Sequence, residues 1–151
     1  MAQIENLVAQ LTVKKAADGC AAMKELQAIS ETSDTVYPYM ARLIGMLGSD
    51  NSYVRTRGLL LIVANGRWDT NYLIDENINQ ILSHIIDPKP ITARQFIQNL
   101  PALTSVKPDL RAEILAALRG VDTLRYPLSI RPLVDEDIRK AILTINREES
   151  A

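Results

Sequence analysis

The chain has 151 residues, of which 47% are apolar, 23% charged and 5% aromatic, with 17 basic against 18 acidic side chains and a formal charge of −1. A chain of this length buries roughly 70% of the surface its unfolded form exposes, so it needs neither disulfide nor metal to hold a core. Its single cysteine, Cys20, excludes an intrachain disulfide framework and any multi-cysteine zinc or iron–sulfur site, and its near-neutral charge removes the strongly basic surface expected of a nucleic-acid binder.

The first residues, MAQIENLVAQLTVKK, carry an acid at Glu5 and no base before Lys14, so they do not read as a secretory signal. Apolar residues then recur at three- and four-residue spacing, as in Ile4, Leu7, Val8, Leu11 and again Met23, Leu26, Ile29, which is the period of one helical face. Eight helices are predicted, over 2–13, 18–31, 34–48, 51–66, 71–86, 90–105, 108–120 and 126–146. Asp18, Asp34 and Asn51 are placed to cap helix starts, and Pro90 and Pro108 to open helices, whose first position needs no amide proton. Pro101 and Pro132 fall inside helical patterns and are expected to kink or split them. The densest apolar run, Leu59–Ala64, lies between Arg57 and Arg67 and is far short of the roughly 20 residues of a membrane span. One unpaired cysteine fits a reducing, cytoplasmic setting.

An internal repeat decides how eight helices are arranged. An apolar helix end, a turn segment, and then Val54-Arg55 opening the next helix recur at Ile86 to Ala93-Arg94, and the apolar-Arg step returns at Ile130-Arg131, at intervals of 39 and then 37 residues. A period near 40 means one two-helix unit per repeat, and such units bury their apolar faces by stacking.

The turn-Val-Arg pattern of Asp50 to Arg55, echoed from Asp87 to Arg94, resembles HEAT repeats of the armadillo-like superfamily. The resemblance covers four repeats and implies an all-α, α-α superhelical solenoid in four helical pairs, with a single repeat domain over 1–147 and a short polar tail over 148–151. It implies that second helices line the concave face, and that an Arg opening a second helix ties turn Asp residues or neighbouring repeats together. Asp50 and Asp87 are the partners at hand. The segment NSYVRTRGLLLIVANGRWD is also similar to small bacterial HEAT-like proteins of unassigned role, some labelled iron–sulfur assembly proteins; one cysteine and one histidine offer no cluster-building chemistry.

The expected function is that of a non-enzymatic scaffold that binds an unknown protein or peptide, without cofactor, metal or membrane, as a monomer or weak homo-oligomer. The candidate contact residues are Tyr53, Arg55, Arg57, Arg67, Trp68, Arg94 and Arg131, because arginine and aromatic side chains dominate interface hot spots. Each has a structural reading: the repeated Arg55, Arg94 and Arg131 as internal ties, and the segment from Tyr53 to Tyr72 as core and loop packing, with Trp68 and Tyr72 stapling the loop to the next helix; Gly58 reads as a site of close helix approach. The alternative is a nucleic-acid-binding or DNA-glycosylase-like HEAT protein with a local Arg stripe. Against it, seven basic and eight acidic residues lie in 1–75 and ten of each in 76–151, so neither half is basic. Three further features stand apart. The stretch Arg125 to Pro132 interrupts the repeat with a long connection. The first helix, with Ile4, Leu7, Val8 and Leu11, could expose an apolar end for self-association. Asp135, Glu136 and Asp137 read as a solvated acidic run, His84 as a lone helix-face histidine, and Cys20, beside Asp18, as an unreactive thiol.

Overall fold

The all-α class read from the periodicity is found: the computed structural model, which describes residues 2–13 and 15–150, contains nine α-helices, six short 3-10 segments and no strand among the described residues. In chain order the helices are α1 (Ala2–Gln10), α2 (Ala16–Thr32), α3 (Met40–Gly45), α4 (Ser52–Ala64), α5 (Leu73–Glu76), α6 (Ile78–Leu82), α7 (Pro90–Val106), α8 (Arg111–Arg119) and α9 (Arg131–Ser150). They form two compact units, Met1–Asn77 and Ile78–Ala151.

Local chemistry explains where several elements differ from the periodic pattern. The block expected over 34–48 opens as a 3-10 turn at Tyr37–Tyr39 around Pro38, and only then becomes α3. The block expected over 71–86 is divided at Asn77, whose amide donates to the Leu73 carbonyl, and it ends in a 3-10 turn at Ser83–Ile86. Asp18 is not the cap of α2, which begins two residues earlier; it lies in the first turn, where a carboxylate complements the helix dipole. Asn51 is a cap, its side chain accepting from the Tyr53 amide at 2.9 Å. Pro101 does not split α7, which runs unbroken from Pro90 to Val106. Pro132 does not split α9 either: the helix begins at Arg131, so the proline occupies the first turn, where the missing donor has no partner to lose. At the other end α9 continues to Ser150, so residues 148–150 are helix rather than tail.

The first unit packs α1 against α2 and α3 against α4, and α2 lies beside α4. Arg57, early in α4, bonds to the Ala16 carbonyl at the start of α2, whereas Trp68, just past α4, bonds to Ser30 near the end of α2. The two helices therefore run parallel. Leu59, Leu60, Leu61, Ile62 and Val63 are all buried, so α4 is enclosed around its circumference and the apolar run is core helix. Gly58 is what lets α3 approach: a Cβ there would lie 2.9 Å from the Leu43 carbonyl oxygen and 3.2 Å from Met46. Ile4, Leu7, Val8 and Leu11 are buried as well, which corrects the expectation that α1 offers an apolar end.

The second unit repeats the scheme. The Ser83–Ile86 turn packs on α7, α8 packs on α9, and α7 lies against α9 along their lengths. Arg94 meets Asp137 and Thr104 meets Glu148, so these second helices also run parallel. Ala93, Phe96, Ile97, Leu100 and Leu103 of α7 and Val134, Ala141 and Ile145 of α9 fill this core.

Candidate functional site

The arginine- and aromatic-rich segment after Asn51 is occupied in holding the first unit together. The Arg55 guanidinium donates from Nη1 to the Ser49 and Asp50 carbonyls, 3.1 and 3.2 Å away, tying α4 to the turn before it. Arg57 is 4% exposed and donates to the Leu11 carbonyl at 2.8 Å and the Ala16 carbonyl at 3.2 Å, lying against Gly19, where any side chain would displace it. Burial takes Arg57 out of the set of surface candidates. The far end of α4 closes the carboxyl end of α2, whose last carbonyls have no intrahelical donors. Trp68 Nε1 donates to the Ser30 carbonyl at 2.7 Å, Arg67 Nη1 to the Glu31 carbonyl at 2.7 Å, and Asn65 Nδ2 to Ser30 Oγ at 3.2 Å. Trp68 thus staples its loop back to α2 rather than forward.

The same loop is fixed from a second side. Tyr37 donates to the buried Asp69 carboxylate at 2.5 Å, and that carboxylate also accepts from the Leu73 and Ile74 amides, both at 3.0 Å. Tyr72, at φ 58°, takes the left-handed conformation that this loop demands. Tyr53 and Tyr72 are both largely exposed, but they lie at opposite ends of α4, a 13-residue helix about 20 Å long, so the aromatics of this segment do not form one patch.

The repeated arginine performs a different task at each occurrence. Neither Asp50 nor Asp87 provides the carboxylate partner seen for Arg94: its Nε donates to Asp137 at 2.6 Å, and that bond holds the guanidinium pKa above its ordinary value. Asp137, expected in a solvated run, is 8% exposed and also accepts from Gln98. Its neighbours part from it: Asp135 accepts from Thr123 at 2.6 Å, and Glu136 is held in a fork by Arg139, which keeps its carboxyl below the ordinary range. Asp87 is fully buried, contacts His84 Nδ1 at 2.7 Å and caps the turn through the Lys89 amide, so His84 has a carboxylate partner. Arg131 donates to the Leu124 and Tyr126 carbonyls and braces the long connection. That connection is anchored by Tyr126, whose hydroxyl donates to the Asp87 carbonyl at 2.6 Å. Burial first, and then the Asp87 charge, push the Tyr126 pKa up to about 12, with Arg125 opposing.

One surface left open in the second unit is the side of α7 and α9 turned away from α8; Leu124 and Leu128, in the connection before α9, are exposed as well. On α7 it carries Ile91, Gln95, Gln98 and Ala102, exposed at alternating steps of four and three residues. On α9 the corresponding stripe is Leu133, Glu136, Lys140 and Leu143, on the opposite side of the helix from Val134, Ala141 and Ile145. The Arg94–Asp137 register sets Ile91 level with Leu133, and the Thr104–Glu148 register sets Ala102 level with Asn146, just under a turn beyond Leu143. Ile91 is 60% exposed, Leu133 45% and Leu143 41%, so the face has apolar side chains at both ends and amides and charges between them.

The second unit carries an open groove lined by Leu82, Ile85, Ile86, Ala117, Val121 and Arg125, and the first unit one lined by Val8, Arg42, Met46, Ser49 and Val54. No group of three or more His, Cys, Asp or Glu side chains among the described residues is placed to hold a metal ion. No helix among the described residues is long and apolar enough to cross a membrane. Of the sequence candidates, Arg55, Arg57, Arg67 and Trp68 converge on the connections around α2 and α4, whereas Arg94 and Arg131 belong to the second unit. Ile91, Leu133 and Leu143 were not singled out by the sequence, since an exposed Leu on an amphipathic helix has the same spacing as a buried one. No family model, curated protein or solved structure matches the chain.

Proposed function

We propose that the protein is a non-enzymatic, HEAT-like scaffold that works in the cytoplasm by binding another protein through its second helices. The parallel pairing of second helices within each unit, α2 with α4 and α7 with α9, supports the repeat reading, because it is the neighbour relation that stacked hairpins produce. The observation that carries the binding reading is the exposure of Ile91, Leu133 and Leu143 on one face of α7 and α9, while the arginine and tryptophan candidates of the first unit bond to backbone. Burying a Leu or Ile side chain stabilises by about 1.5–3 kcal/mol when complete, so three half-exposed ones can anchor a partner.

The test is capture from the native host with the wild type, with the double variant Ile91→Glu/Leu133→Glu, and with Tyr53→Glu, all first shown to have equal helical content. The proposal expects the double variant to lose the proteins that the other two retain. Loss with Tyr53→Glu and retention with the double variant would overturn it.

A further inference from the structure

We infer that the α7/α9 face takes an acidic amphipathic helix of its protein partner, laid along the two helices. The inference rests on the binding reading above and adds the chemistry of what binds. Three observations lead to it.

The apolar ends are spaced for a helix. Leu133 and Leu143 are ten residues apart and Ile91 and Ala102 eleven, which is about 15–17 Å along the helix axes. A helix returns to the same face after 7 and 11 residues, so apolar side chains at i, i+4, i+7 and i+11 reach both ends of the face. Two parallel helices in contact also leave a furrow between them into which the ridge of a third helix fits.

A helix satisfies its own backbone groups and presents side chains alone, whereas an extended segment would leave its N–H and C=O groups to water and to the Gln95 and Gln98 amides.

The charge of the face is positive. Its one acid, Glu136, is neutralised by the Arg139 fork at 2.6 and 2.9 Å. Lys140 stands 3.9 Å from that carboxylate at the middle of the face, and Arg147 is exposed one turn beyond Leu143. On α7, Arg94 is paired with Asp137, while Asp135 is turned to Thr123 and Glu148 to Thr104. On the stripe itself Lys140 and Arg147 outnumber Glu136, and carboxylates on either side of a partner's apolar stripe complement them.

The probes are two synthetic helical peptides of about 18 residues with identical leucines at i, i+4, i+7 and i+11, one with glutamate and the other with lysine at the flanking positions. Binding to the full chain is followed by fluorescence anisotropy. The acidic peptide is expected to bind about tenfold more tightly than the basic one, and less tightly as salt rises. Leu133→Asp/Leu143→Asp abolishes binding, while Lys140→Glu removes the preference between the peptides. Equal or tighter binding of the basic peptide overturns the inference, as does no binding of the acidic peptide at about 100 µM. Light scattering that shows a dimer, lost on Leu133→Asp/Leu143→Asp, also overturns it by making a second copy the occupant. If the peptides fail while Ile91→Glu/Leu133→Glu still loses native partners, the acidic-helix inference falls and the scaffold reading stands.

Discussion

Arg57 shows how a residue type associated with interfaces becomes a structural part. Its guanidinium lies against Gly19, which has no side chain to obstruct it, and bridges the carbonyls of Leu11 and Ala16 on either side of the turn between α1 and α2. A planar fork can serve two acceptors at once, whereas an ammonium on a flexible stem cannot hold the same geometry. Arg57→Ala is expected to lower stability by about 3 kcal/mol through lost packing and two unmade hydrogen bonds, and Arg57→Lys to recover less than half of that. Urea unfolding at unchanged slope reads the difference. A change below about 0.5 kcal/mol for both variants would show that the bridge contributes nothing.

At the scale of elements, helix ends are what the charged and aromatic side chains secure. α4 grips α2 at both termini, through Arg57 at one and Asn65, Arg67 and Trp68 at the other, while Arg131 and Tyr126 secure the connection that leads into α9. Tyr126 makes this testable by pH. Its protonated form is favoured in the folded chain, with a pKa pushed up to about 12, against about 10 when unfolded. Between those values the unfolded state has lost a proton that the folded state keeps, so stability falls as pH rises from about 10 to about 12, by about 2–3 kcal/mol from this group. Tyr126→Phe should cost about 1 kcal/mol near neutrality through the lost bond to Asp87, and the gap to the wild type should close within that pH window and then reverse, leaving the variant the more stable by about 1–2 kcal/mol above about pH 12. Parallel stability curves for the two proteins would mean that the hydroxyl does not differ between states.

The whole molecule shows which properties reside in the chain's pattern and which in its packing. Helix class and approximate extent follow from the three- and four-residue spacing, and the Asn51 cap, the Pro90 start and the tight contact at Gly58 were all legible. Pro132 was misplaced because periodicity carried the last helix back through a connection that its turn residues interrupt, so the proline lies in the first turn of α9 rather than inside it. The pairing of Arg94 with Asp137, 43 residues away, was not legible, since spacing within a helix holds no information about which neighbour it meets. For the same reason the first-unit arginines looked available until their carbonyl acceptors were seen, and nothing in the spacing set Ile91, Leu133 and Leu143 apart from the buried residues of the same helices. The central claim, that the chain meets its partner through this face of α7 and α9, is tested most directly by hydroxyl-radical footprinting of the chain in complexes isolated from the native host. Protection of Ile91, Leu133 and Leu143, with Tyr53 and Tyr72 labelled as in the free protein, is the predicted result; protection of Tyr53 or Tyr72, with the three aliphatic residues labelled as before, would contradict it.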